Sequence, residues 1–416
     1  MRTALPEKGR SREDVLAELR DMKAGDADWR HGRVPLYVFK ATDELDALGR
    51  DAFCEFFAEN ALGGRRAFPS VKRMEDDVVA MALGLFRAPE GAQGFLTSGG
   101  TESIVQAVQT CRDWTRARRK EPRLAGNLVL PESAHPAFDK AARLMDLQVR
   151  RVPVGPDLSA DPAALAAALD ERTLMMVGSA PAFPYGVIDP ITELSRLALD
   201  REVWLHVDAC VGGYLAPFVR QNGRDVPEFD FGLPGVSSLS ADLHKFGFTP
   251  KPASTVFYRD EDKAQHHAFD FSNWPNGRFH TATITGTRPA GGVAGAWATF
   301  QFLGVEGYRA IARDLMAFVD AYKAGVEEVE GLKILGRPHL SIVAYGSDSL
   351  DVFRVAEFMG ERGWVPGLVQ KPRGIHRMMS MLHAASLDEY LADLRAAVER
   401  LRGDAGAGSS RLVATY

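Results

Sequence analysis

The chain has 416 residues, of which 46% are hydrophobic and 25% charged, a globular composition too long for one small core, so a large domain plus a smaller one is expected. A formal net charge of -5 gives no electrostatic basis for binding nucleic acid or an anionic membrane, which leaves small molecules as the expected ligands. No run approaches the roughly 20 apolar residues of a bilayer span, and Cys54, Cys111 and Cys210 lack metal-ligand spacing, so a soluble, reduced, cytoplasmic protein without metal or stable membrane anchor is expected.

Residues 1–50 read as a mostly polar N-terminal arm whose one apolar stretch, Val34-Pro35-Leu36-Tyr37-Val38-Phe39, either docks on a partner subunit or extends over the surface. Residues 51–300 are assigned to the large domain, 301–403 to the small one, and the Gly/Ala/Ser-rich 404–416 to a loose tail. The first strong helix follows Thr97-Ser98-Gly99-Gly100-Thr101-Glu102-Ser103, because Ile104, Ala107, Val108 and Cys111 recur on one face. Strand-like and helix-like segments then alternate: a strand over Asn127–Pro131, a helix over Ala137–Met145, a strand over Val149–Pro153, a helix over Pro162–Leu169 and a strand over Leu174–Gly178. Such alternation predicts a mostly parallel, doubly wound sheet. Asp189-Pro190 offers an N-cap and a first-turn proline to a helix carrying Ile191, Leu194, Leu197 and Ala198. The next strand, Val203–Val207, ends at Asp208, on the strand edge where open parallel sheets bind ligands. Helices over Val293–Phe302 and Gly307–Val329, a strand over Leu340–Tyr345, and helices over Leu350–Gly360 and Leu387–Leu401 complete an α/β C-terminal domain.

Four features on this framework belong together chemically. Ser238–Phe248 places Lys245 just past a short strand, and Asp208 lies 37 residues earlier, room enough for a crossover that brings both to one sheet edge. A lysine there is an amine nucleophile if it is not merely a surface lysine, and Asp208 is a carboxylate partner if it is not a turn residue before Gly212-Gly213. The Gly99–Ser103 turn presents backbone N–H groups and the positive end of a helix to a phosphate, although many helices begin this way. His135, in Ser133-Ala134-His135-Pro136, supplies a flat ring that could also shuttle protons, or is an ordinary loop residue. An amine, a carboxylate, phosphate donors and a flat contact are together what pyridoxal 5'-phosphate (PLP) requires of a protein.

The order and wording of these segments carry a resemblance. TSGGTES (97–103), SAHPAFDKAA (133–142), PAFPYGVIDP (181–190), HVDACVGGY (206–214), SLSADLHKFGFTPK (238–251) and ITGTRPAGG (284–292) closely resemble the group II PLP-dependent decarboxylase superfamily and, within it, the sphingosine-1-phosphate lyases. The resemblance implies an aspartate aminotransferase-like, fold-type I homodimer with active sites shared between subunits. It implies that Lys245 holds PLP as a Schiff base, Asp208 pairs with the pyridine nitrogen, His135 stacks on the ring and Ala209 packs on the opposite face. It places Gly99, Gly100, Thr101 and His244 at the cofactor phosphate, with Gly286 and Thr287 of the other subunit closing that site, and Lys251 at the substrate's own phosphate. Tyr185 falls near the substrate as an acid/base or positioning group, or is a turn aromatic between Pro184 and Gly186. One segment departs from the lyase pattern: an Asn-Pro-Leu-His-Pro type motif is replaced by Asn60-Ala61-Leu62-Gly63-Gly64-Arg65-Arg66, where Arg65 or Arg66 could rebuild an anion site. The expected activity is carbon–carbon cleavage of a phosphorylated or otherwise anionic amino alcohol. The alternatives are a decarboxylase of an acidic or aromatic amino acid and a catalytically silent protein that has kept the fold.

Overall fold

In the computed structural model, which describes residues 4–403, 409–410 and 412–415, the N-terminal segment is more than an arm. Helix α1 (Arg12–Met22) buries no residue and is capped by Ser11, whereas α2 (Asp43–Glu55), capped by Thr42, buries Leu45 and Gly49. Helix α3 (Pro69–Leu85) begins on a proline and buries Val71, Met74, Val78 and Ala82 at helical spacing; it precedes the helix that sequence periodicity singled out as first. Between α1 and α2, Val34 and Leu36 are buried. The backbone around them pairs with the far end of the same chain, as Arg33 O accepts from Val365 N (2.9 Å) and Pro35 O from Met378 N (3.0 Å). The apolar stretch therefore docks on its own C-terminal region rather than spreading over the surface, and the expected boundary at residue 50 falls inside α2.

The large unit follows as β1 (Gln93–Thr97), α4 (Gly100–Arg119), β2 (Asn127–Pro131), α5 (Ala137–Leu144), β3 (Gln148–Val152), α6 (Pro162–Ala168), β4 (Thr173–Ser179), α7 (Ile191–Asp200), β5 (Trp204–Asp208), α8 (Ala216–Gln221), β6 (Val236–Ala241) and β7 (Ser254–Tyr258). These strands form one sheet of order β1-β7-β6-β5-β4-β2-β3, in which only β7 runs against its neighbours. Every residue of β2, β4 and β5 is buried, as expected of central strands covered on both faces. Ser179 pairs with Asp208 and Asp208 with Ser240, so the carboxyl ends of β4, β5 and β6 stand side by side. The start of α7 corrects one expectation: Pro190, with no side-chain bond, occupies the cap position, and the buried Asp189 instead accepts from Ala160 N (2.8 Å) and Ser179 N (2.7 Å). Burial pushes the Asp189 carboxyl up to about 7.

A short helix α9 (Glu261–Ala264) and a hairpin of β8 (Phe269–Phe271) and β9 (Phe279–Thr281) lead to α10 (Ala290–Glu327). The two helices expected on either side of residue 304 are both present within this span, separated by a kink at the non-helical Gly304 (φ 52°, ψ -171°), a positive-φ backbone that glycine adopts without strain. The expected boundary at 300/301 lies just before that kink. Beyond it, β10 (Lys333–Ile334), β11 (Ile342–Gly346), α11 (Val352–Glu361), β12 (Gly367–Gln370), β13 (Arg373–Met378) and α12 (Leu387–Gly403) build an antiparallel sheet of order β10-β11-β13-β12 with its helices. Of the expected tail, residues 404–408, 411 and 416 lie outside the described residues. Ser410 is tied down, with its amide on Asp351 Oδ2 (3.0 Å) and its hydroxyl on Glu357 Oε1 (2.6 Å).

Candidate active site

The carboxyl edge of the large sheet opens into a cleft of about 280 Å³ lined by Ser98–Glu102, His135, Ser179, Asp208, Asp242, His244 and Lys245, among others. Each group arrives by a strand end or a helix start. Asp208, the last residue of β5, is 7% exposed, and its Oδ1 accepts from Cys210 N (3.1 Å) and Ser240 Oγ (3.4 Å). Beneath it the buried His206 bonds Ser238 Oγ (2.8 Å) and Ser240 Oγ (3.2 Å), and burial lowers its imidazole to about 4, so the ring under Asp208 is neutral. Lys245 follows β6, with Nζ 2.9 Å from Asp242 Oδ2. Burial, the largest single influence, pulls its ammonium down, but the charge and hydrogen bond of Asp242 together with the neighbouring Cys210 and Asp208 raise it by more, so the net shift is upward.

At the opposite wall, the first bond of α4 runs from Ser103 N to Gly99 O (3.0 Å). The amides of Gly100, Thr101 and Glu102 therefore precede the helical bonding pattern and face an incoming anion with the positive end of the helix behind them. His135 accepts from Ala137 N through Nδ1 (3.1 Å), which assigns the proton of the neutral ring to Nε2. Burial lowers its pKa, so the ring is a neutral flat surface with a donor. In this tautomer it is not a base, which narrows the proton-shuttle expectation. Ser179 Oγ is buried without a partner on the same cleft wall, a polar atom awaiting a ligand.

Residues 1–347 match the pyridoxal-dependent decarboxylase conserved domain. The chain belongs to the pyridoxal-dependent decarboxylase family. It is 39% identical to the sphingosine-1-phosphate lyase of Oryza sativa over 98% of this chain and 76% of that protein. It is 32% identical to a probable L-tyrosine/L-aspartate decarboxylase of Methanothermobacter thermautotrophicus over 85% of this chain and 94% of that protein. A solved structure, the Burkholderia pseudomallei sphingosine-1-phosphate lyase, superposes with a TM-score of 0.92 at 37% identity, covering 97% of this chain and 94% of that one. The protein is accordingly a PLP-dependent lyase of fold type I, and the donor set fits the cofactor: an amine, a carboxylate, three helix-start amides and an unpartnered hydroxyl converge on one cleft.

Within this family frame the remaining expected residues fall in different places. His244 lines the cleft, with Nδ1 accepting from Ala253 N (3.2 Å) and burial lowering its pKa. Lys251 is exposed two residues before Ala253, close enough for its charge to act on His244. Ala209 is fully buried with its amide on Ser240 O (2.9 Å), and the wall at that point is formed by Cys210 and Val211. Tyr185 does not reach the cleft: its hydroxyl donates to Lys371 O and its ring packs with Val187, Leu335, Ala344 and Val369. It is a buried contact with the C-terminal sheet, away from the Lys245 cleft of its own chain.

Arg65 and Arg66 do not line the Lys245 cleft of their own chain; Arg65 borders another, of about 300 Å³, with Lys72, His280 and Arg288. Gly286 and Thr287 are likewise outside the Lys245 cleft. They are joined to the arginine segment, because Asn60 Nδ2 donates to Thr287 Oγ1 (3.3 Å), Asn60 Oδ1 accepts from Arg288 N (3.2 Å) and Ala61 N donates to Arg288 O (2.9 Å). Three groups escaped the sequence reading. Asp242 and Ser179 gave no pattern to find them by, whereas Glu102, quoted only as part of the turn, is a clasp: its Oε2 accepts from Ser98 N (2.7 Å) and its Oε1 from Ile284 N (2.8 Å), tying the phosphate turn to the 281–287 loop.

Proposed function

We propose that this PLP-dependent lyase cleaves the Cα–Cβ bond of a small anionic amine, a phosphorylated amino alcohol of the sphingoid base 1-phosphate kind, to an aldehyde and an amine phosphate. The observation that carries the reading is the pair of lysines: Lys245 inside the cleft against Asp242, and Lys251 exposed beside His244. Bound PLP supplies an electron sink for the bond broken at the substrate carbon. Asp208 presents its carboxyl group at the cleft floor, held in place by Cys210 N and Ser240. The α4 amides orient one phosphate, Lys251 holds the substrate's anionic end, and His135 offers a flat face with its proton fixed on Nε2 by Ala137.

The reading includes a cytoplasmic homodimer with shared sites. What supports the dimer is an exposed apolar set around the hairpin, with Phe269 53%, Phe271 46%, Trp274 47% and Ile284 57% exposed. Asn60 joins the segment that carries Arg65 and Arg66 to Thr287 and Arg288, so in the proposed dimer Arg65, Arg66, Gly286 and Thr287 would approach a neighbour's cleft as one unit. No helix among the described residues is long and apolar enough to cross a membrane.

Likeness to the Methanothermobacter protein keeps decarboxylation as the second reading. Incubating the holoenzyme with a phosphorylated amino alcohol, and separately with aspartate and tyrosine, separates them. Aldehyde release supports cleavage, and carbon dioxide release without aldehyde overturns it in favour of the decarboxylase. A protein that takes up no PLP, with a visible spectrum unchanged by Lys245→Ala, is neither.

A further inference from the structure

Asp242 is the most confined charged group in the cleft. It is 3% exposed, follows the last residue of β6, and its amide donates to Cys210 O (3.2 Å), which fixes its backbone. Both carboxylate oxygens are engaged. Oδ2 lies 2.9 Å from Lys245 Nζ and 3.7 Å from His244 Nε2, and Oδ1 accepts from Ser254 Oγ (2.5 Å). Ser254 Oγ is in turn 2.9 Å from Ser103 Oγ, which is 2.6 Å from Thr97 Oγ1, so a line of buried hydroxyls backs the carboxylate. The start of α4 is shaped around it, since a methyl group on Gly100 would sit 2.9 Å from each Asp242 oxygen.

A buried carboxylate without a partner is costly, and the partner here is the lysine that must become uncharged to react. We propose that Asp242 is the positioning residue of Lys245, holding it as an ammonium at the end of β6 whenever the lysine is not bonded to the cofactor. The proposal rests on the reading of Lys245 as the cofactor lysine. To bond, Nζ first gives one proton to solvent; its lone pair then attacks the cofactor's aldehyde carbon, and the two remaining Nζ hydrogens leave with the aldehyde oxygen as water. Asp242 opposes the first step and gives the lysine a fixed place to return to.

The other ionisable groups facing Lys245 are Asp208 and Cys210 at the end of β5, His135 ahead of α5, and His244 in its own loop, with Glu102 of α4 on the same cleft. Burial raises the Cys210 thiol and lowers both imidazoles, so these three are uncharged near neutrality. Among the described residues Asp242 alone stands at ion-pair distance from Nζ.

The test follows PLP capture by cofactor-free protein in a stopped-flow spectrometer across pH 6–10, reading the visible absorbance of the lysine-bound cofactor. The wild-type rate should rise with pH as the ammonium is lost. In Asp242→Asn the midpoint should move down by about 1–3 pH units, the usual effect of removing an opposite charge within 4–6 Å, a roughly 10- to 1000-fold faster capture at neutral pH. Ser254→Ala, which strips a donor from the carboxylate and leaves its charge less shared, should move the midpoint up. Pyridoxal, lacking the phosphate, should show the same displacements, which separates an effect on the lysine from one on phosphate binding. An Asp242→Asn midpoint equal to wild type, or both variants moving the same way, overturns the proposal. If Asp242→Asn does not fold, the Ser254→Ala shift decides: an upward move supports it and no move overturns it. Failure of wild-type protein to capture PLP at all overturns instead the assignment of Lys245.

Discussion

Gly99 and Gly100 look interchangeable in the sequence, yet their surroundings make opposite demands. A Cβ on Gly100 would lie 2.8 Å from Cys210 Sγ and 2.9 Å from both Asp242 oxygens, distances that require something to shift. The carboxylate has no easy retreat, because Lys245 and Ser254 hold it from two sides. A Cβ on Gly99 would meet only His244 Cε1, at 3.5 Å, an ordinary contact. Its backbone is extended (φ 169°, ψ 166°), a conformation open to any residue. Gly100→Ala should therefore destabilise the cofactor-free protein by about 1–3 kcal/mol, the usual cost of overpacking, and Gly99→Ala by roughly 0.5 kcal/mol or less. Urea denaturation of the cofactor-free proteins measures both, with circular dichroism to establish that each is folded. Equal losses in the two variants would show that Asp242 and Cys210 do not confine the turn, and the steric argument would fall.

Further expectations follow from the site and its supports. Asp208→Asn keeps an acceptor for Cys210 N but removes the charge, so PLP should still bind while kcat falls by roughly 100-fold or more, the scale of losing a preorganised electrostatic contact; unchanged kcat would remove Asp208 from the cofactor. Glu102→Ala leaves Ser98 N and Ile284 N without their acceptor, at about 1–3 kcal/mol of stability, and hydrogen exchange should quicken over 281–287 before it does in β5. For Asp189, with a carboxyl raised to about 7 from an ordinary 3.8, the native state holds a proton that the unfolded chain releases. Its contribution is complete below the unfolded value and is lost as pH rises toward 7, at up to about 1.4 kcal/mol per pH unit. Subtracting the stability of Asp189→Asn from that of wild type across pH 4–8 should reveal that slope, and a flat difference would place Asp189 as an ordinary carboxylate.

The sequence made local features readable wherever one residue type had one job at one spacing. The buried runs of β2, β4 and β5, the glycine turn into α4 and the arrival of Asp208 at a strand end all follow from period and punctuation. Helix α3 was equally readable, with its leading proline and its Val71, Met74, Val78, Ala82 stripe. Other features depend on what the chain meets far away. Asp189 has the spacing of a cap, but its oxygens are claimed by Ala160 and Ser179 across the sheet edge. Tyr185 has the motif position of a substrate contact, but a β12–β13 turn carbonyl, that of Lys371, takes its hydroxyl. Asp242 carries no periodic or capping signature; its meaning comes from Lys245, Ser254 and the missing side chain of Gly100, which only folding brings together.

The clasp between the N-terminal stretch and the C-terminal sheet has a consequence in time. Val34 O meets His383 Nε2 at 2.9 Å across 349 residues of chain. At ~5–20 residues per second of synthesis, Val34 and Leu36 wait ~20–70 s for the surface that buries them. Through that interval a growing chain carries an apolar strip with no home, and over its last part, once residue 258 has been made, the PLP-binding sheet is already fully synthesised. Holding chaperones should therefore act on this protein at its beginning, and a nascent chain stalled between residues 330 and 365 should be recovered with the stretch ahead of α2 sensitive to protease and its large sheet protected.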